Sequence, residues 1–131
     1  MTLASVMSTI RLKVNETFPS PIVVFYDNAP ASDRPDALHI RASIKLGQQI
    51  QVETGSPKRF RQVGILMLEF FSPAGSGDQS SIQKIDTALG VFRCKTYSGV
   101  TFESPDLDVV GLNDRWWQVN AACSFYVDFT S

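Results

Sequence analysis

The most regular pattern in this chain is an alternation near its end. Trp117, Val119, Ala121, Cys123, Phe125, Val127 and Phe129 occupy consecutive odd positions, and Gln118, Asn120, Ser124, Asp128 and Thr130 fall between them. A period of two predicts a long strand with one face on the core. Leu38, Ile40, Ala42, Ile44 and Leu46 alternate with His39, Arg41, Ser43 and Lys45 in the same way. That predicts a second strand with a basic outer face, which places His39 at the surface. Val63 to Phe71 differs: Ile65, Met67 and Phe71 stand on one face and Leu66, Leu68 and Phe70 on the other. A strand apolar on both faces is expected at the centre of a sheet, covered on both sides. It should stop at Ser72-Pro73, because proline donates no hydrogen bond and holds the preceding residue extended.

Two stretches carry the helical period instead. Leu3, Val6, Met7, Ile10 and Val14 predict a helix over about 3–17, with Thr2 as its cap and Pro19 and Pro21 closing it. Ile82, Ile85, Leu89 and Phe92 predict another over about 79–94, capped by Asp78 or Ser80. Gly90 inside it costs roughly 1 kcal/mol relative to alanine, which suggests close packing against the sheet. Ile22–Tyr26 and Gly99–Glu103 read as short strands, and Val109–Leu112 as a further extended piece. Residues 27–36 and Gly55-Ser56-Pro57 have the chemistry of a loop and a turn. The expected architecture is α+β in the order αβββαββ: one domain over residues 1–131, a mainly antiparallel sheet and two helices on one face. Its second and third strands form a long hairpin over residues 38–71, whose tip at about 48–60 runs past the part the core can cover.

Composition adds little to this picture: 44% hydrophobic and 19% charged residues are ordinary for a globular chain. The net charge of −1 exerts no general pull on nucleic acid. Its distribution says more. Residues 1–62 carry eight Lys/Arg against five acids, and residues 63–131 carry four against eight. Such polarity suits a subunit whose opposite faces meet. No window is long and apolar enough to span a membrane, and no signal-peptide pattern is expected. Cys94 and Cys123 read as reduced, buried residues.

Candidate chemistry is sparse. One histidine and two distant cysteines make neither a zinc set nor a nucleophile pair. Gly75-Ser76-Gly77 lacks the lysine of a phosphate loop and is followed by Asp78, so a tight connection is the expected reading. No catalytic, cofactor or metal residue is assigned. Two sets remain as candidate interface residues. Arg41, Lys45, Lys58, Arg59 and Arg61, with Phe60 among them, flank the hairpin; Asp106, Asp108 and Asp114 lie on the acidic side. The acids around Glu103–Asp114 also admit a different class, a small ligand-binding or enzymatic domain with an acidic pocket.

The succession of motifs resembles the tail terminator, or tail completion, family of long-tailed bacteriophages. The likeness rests on the opening amphipathic helix, the Tyr26-Asp27-Asn28-Ala29-Pro30 loop and the run from Gly64 through Ser72-Pro73-Ala74-Gly75-Ser76-Gly77 before the second helix. Val100–Pro105 and the strand from Trp117 to Val127 continue it. The Asp33–Asp36 segment and Trp116-Trp117 stand outside the pattern. The resemblance implies a non-enzymatic virion protein, assembled in the host cytoplasm, that forms a homo-oligomeric ring, usually a hexamer. Such a ring caps the head-proximal end of the tail tube, ends tube polymerisation and offers a surface to the head–tail connector. Its implied partners are the tail tube protein and a neck protein, with genome DNA near its lumen and no membrane. Another neck or tail-tube component of similar fold is the neighbouring expectation.

Overall fold

A computed structural model describes residues 2–18, 22–26, 38–52, 58–73, 79–113 and 116–130. The chain runs α1 (Leu3–Thr17), β1 (Val23–Tyr26), β2 (His39–Gln51), β3 (Arg59–Pro73), α2 (Gln79–Phe92), β4 (Thr96–Tyr97), β5 (Val100–Phe102), β6 (Asp106–Asn113) and β7 (Trp116–Thr130). The seven strands make one sheet in the order β1-β2-β3-β7-β5-β4, with β6 also paired to β7. This is a mixed α+β domain with a mainly antiparallel sheet.

Helix α1 begins where the sequence places it. The Thr2 hydroxyl accepts from the Ser5 N–H at 3.1 Å and the Thr2 N–H donates to the Ser5 hydroxyl at 3.0 Å, so two otherwise orphaned donors are satisfied. Val6, Ile10 and Val14 on its apolar stripe are fully buried. From α2, Ile85, Leu89 and Phe92 join the same core. Both stripes meet one face of the sheet: Ile40 and Ala42 of β2, Leu66, Leu68 and Phe70 of β3, and the odd positions from Val119 to Val127 of β7. The Phe102 ring lies between those of Phe92 and Phe125, with centroids 5.0 and 5.8 Å away. Such aromatic pairs add to the area they bury.

The frame of the sheet is β3 against β7, paired residue for residue from Arg59↔Thr130 to Pro73↔Trp116. On the other flank of β3, β2 pairs from His39↔Phe71 to Gln51↔Phe60, with an irregularity between Leu46 and Gln49. Gly64 is required there by space. A Cβ on it would stand 2.5 Å from Phe125 Cζ and 2.9 Å from the Lys45 carbonyl oxygen.

The observed order, αβββαββββ, corrects the expected αβββαββ. β4 has only two residues, too few to show a period. β6 is broken by a register shift between Val109 and Gly111, where Gly111 adopts φ +94. β1 lies parallel to β2, a pairing that four residues cannot reveal in sequence. The described parts of the hairpin tip run past the core as expected, since residues 46–52, Lys58 and Arg59 are exposed. β3 nonetheless stays paired to β7 down to Arg59, so that arm does not leave the sheet. Gly90 is exposed and a Cβ there would meet nothing within 4 Å, so no packing demands it. Cys94 is exposed at φ 53, whereas Cys123 is buried and its thiol is pushed up to about 12 by desolvation. The loop over 27–36, the Gly55–Pro57 turn, the Gly75–Gly77 turn, the Asp78 cap and Asp114 lie outside the described residues. Ser80 falls inside α2.

Candidate interface on the open face of the sheet

The side chains of β3 that point away from the helices are Val63, Ile65, Met67, Glu69 and Phe71. The pairing extends each of them into a row across the sheet. Arg41, Glu69, Asn120 and Asp108 make one row; Ser43, Met67, Ala122 and Asp106 the next; Lys45, Ile65 and Ser124 the third. No described helix lies over these rows, and Ile65 remains 38% exposed. The expected cover on both sides of β3 is therefore present on one side only. Ile65 is the exposed apolar position of this face, flanked by the intermediate Val63 and Met67.

One end of this face is closed by aromatic packing. His39 is 1% exposed, which corrects its expected place at the surface. Its ring stacks on Phe71 at 5.2 Å and meets the edges or faces of Trp116 at 4.6 Å and Phe25 at 5.8 Å. The alternation puts His39 on the correct face of β2. That face is covered locally by rings from β1, β3 and β7, which no local pattern signals.

The other end is electrostatic. Arg61 donates to both carboxylate oxygens of Asp128, at 2.9 and 3.2 Å, and its guanidinium lies 4.2 Å from the centre of the Tyr126 ring. A bidentate pair of this kind fixes geometry as well as charge. The Arg61 hydrogen bond, with the charges of Arg61 and Arg59, holds the Asp128 carboxyl below the usual carboxylate range. A carboxyl that binds its proton more weakly folded than unfolded stabilises the fold above the ordinary value near ~4, and that contribution is lost as pH falls through the lowered pKa. Replacing Asp128→Asn is expected to lower stability at neutral pH and to flatten the acid limb. Denaturant titrations of both proteins from pH 7 down to ~3 would show their curves converging; a constant gap would show that the carboxylate's charge is not what the pair contributes.

The predicted interface residues therefore do not gather into one basic tip. Arg41 and Lys45 belong to the open face of β2. Lys58 is exposed just before β3, and Arg59 is exposed opposite Thr130. Arg61 is engaged with Asp128, and half-buried Phe60 pairs with Phe129 on the helix side of the sheet. Asp106 and Asp108 are exposed on β6, at the far flank from β2. The sequence reading missed the most exposed apolar group among the described residues. On β6, Leu107 is 51%, Val109 58%, Val110 47% and Leu112 67% exposed. Its signal was present as an apolar run without alternation, framed by Asp106, Asp108 and Asn113.

Between Lys45, Gly47, Val63, Ile65, Glu103 and Ser124 the face sinks into an open cleft of about 450 Å³. Its polar side chains are one lysine, one glutamate and one serine, with no cysteine or histidine among the lining residues. Among the described residues no group of three or more His, Cys, Asp or Glu is placed to hold a metal ion. No described helix is long and apolar enough to cross a membrane.

No family model matches the chain, and no curated protein matches it. Several solved structures match; one of them superposes with a TM-score of 0.67 over 94% of this chain and 96% of its own, at 15% identity. At that identity the likeness concerns the fold alone.

Proposed function

We propose that this chain is a structural virion protein of a long-tailed bacteriophage, a tail terminator. Copies form a ring, six in number by the family's habit, on the head-proximal end of the tail tube. The ring ends tube polymerisation and gives the head–tail connector its seat; its lumen lies on the path of the genome. The observation that carries this reading is the ordered likeness of motifs, centred on the run from Gly64 to Gly77. Two features of the folded chain support it. The sheet keeps an open face with apolar and charged rows. Its exposed basic and acidic residues, Lys45 and Lys58 against Asp106 and Asp108, lie apart, as head-to-tail contact between identical subunits needs. The neighbouring reading, another neck or tail-tube component, differs only in which ring is met. Of the acids in the acidic-pocket reading, Glu103 lines the cleft, while Asp106 and Asp108 are exposed along an edge strand and do not line it.

Native mass spectrometry of the purified chain, alone and mixed with tail-tube protein, tests the proposal. A closed oligomer, and its location at the head–tail junction when labelled particles are imaged, is the expected result. A strict monomer under both conditions would remove it.

A further inference from the structure

We infer that the outer edge of β6 is where one copy of this chain receives the next, and that the strand it receives is the open stretch of β2. The inference rests on the ring reading, since it specifies where ring copies meet.

An edge strand offers unpaired N–H and C=O groups, and natural proteins blunt such edges with short strands, charge or cover. β6 is paired only to β7 among the described residues, yet it is eight residues long. It presents four large apolar side chains at roughly half exposure or more. Left bare, that combination directs association.

The opposite flank supplies a match. β1 pairs with β2 only from His39 to Ala42, so Ser43–Ile50 is a second open edge among the described residues. Leu46 there is 42% exposed and lies opposite Gly64, which puts it on the helix side of the sheet. Leu107 and Val109 lie on that same side, opposite Ala121 and Val119. On the open side, Lys45 is exposed on β2, and Asp106 and Asp108 are exposed on β6. Joined edge to edge, the two strands bring apolar side chains together on one side and opposite charges on the other. One aspartate then faces Lys45 directly and the second diagonally, the two positions from which cross-strand pairs interact. Strand direction agrees as well. β2, β3, β7 and β6 are successively antiparallel, so β6 of one copy runs antiparallel to β2 of the next when the sheet continues. The contact joins two different surfaces, which is the kind that closes into a ring.

The test uses the full chain and three variants. Asp106→Lys with Asp108→Lys reverses one edge, Lys45→Glu reverses the other, and the triple variant reverses both. All three positions are exposed, so each variant should keep the wild-type melting temperature. Either single-edge reversal should weaken assembly at least ten-fold in the concentration at which native mass spectra show half dissociation. The triple variant should recover most of that loss, and amides of β6 should slow in hydrogen exchange when the wild type assembles. A wild type that never assembles removes the ring reading together with this one. A wild-type ring whose dissociation midpoint is unchanged by Asp106→Lys with Asp108→Lys overturns the β6 seam alone. Loss without rescue in the triple variant overturns β2 as the mate. Slowing of β6 amides only after tail-tube protein is added assigns the edge to that protein instead of a second copy.

Discussion

Replacing Phe125 by alanine is expected to destabilise the subunit by about 3–5 kcal/mol, enough to consume much of a single domain's stability. The ring is 1% exposed, sits 5.8 Å from Phe102, and occupies the hollow above Gly64. Neither neighbour can collapse into the space it would vacate. Phe102 is already held against Phe92, and Gly64 is fixed in the β3 ladder between β2 and β7. A cavity that cannot relax costs both the lost transfer energy and the lost contacts. Urea unfolding followed by far-ultraviolet circular dichroism checks it. A loss below about 1 kcal/mol would show that this face of β7 is not in the core.

The second large effect is expected at Gly64. Alanine there places a methyl group against the Phe125 ring and the Lys45 carbonyl at distances real Cβ atoms do not reach. The ring can turn only by disturbing Phe102, and the carbonyl belongs to the backbone of β2. Overpacking of this kind costs about 1–3 kcal/mol, and the backbone contact places Gly64→Ala at the upper end or beyond. Because the two residues share one contact, their effects should not add. Gly64→Ala made in a Phe125→Leu background should cost less than in the wild type, by more than ~0.5 kcal/mol. Strict additivity would mean the Phe125 ring does not lie over Gly64.

The parts of the fold that periodicity reveals are those whose surroundings are uniform along their length. From Val119 to Val127, β7 meets helix-covered core at every odd position, so there its alternation reads directly as burial. The stripe of α1 does the same at Val6, Ile10 and Val14, and its cap at Thr2 follows from local chemistry. Failures occur where a face changes character part-way. His39 shares a face with Arg41 and Lys45 yet is buried, because Phe25, Phe71 and Trp116 arrive from three other strands. β3 is apolar on both faces, but its second face is closed only at Phe71 and open at Ile65. β6 looked irregular because its helix-side residues extend past the reach of both helices and a glycine bulge interrupts it. The basic set read as one patch because its members are near in sequence. The pairing separates them, and it commits Arg61 to Asp128. Of the interface candidates that remain exposed, Lys45, Asp106 and Asp108 were legible as charges but not as members of two opposite edges.

The pairing of β3 with β7 also governs how the chain comes together. The partners are nearest in sequence at Pro73 and Trp116 and farthest at Arg59 and Thr130. Every rung therefore closes a long loop, whose entropy is lost before the apolar contacts repay it. Closing such a ladder from its Pro73–Trp116 end keeps the first loop shortest, and α2, β4, β5 and β6 all lie inside that loop. Folding of this topology belongs to the slow, nonlocal class, with half-paired strands exposed while it proceeds. In the proposed ring, the β6 edge that receives a neighbour is complete only once β7 has closed its long ladder with β3.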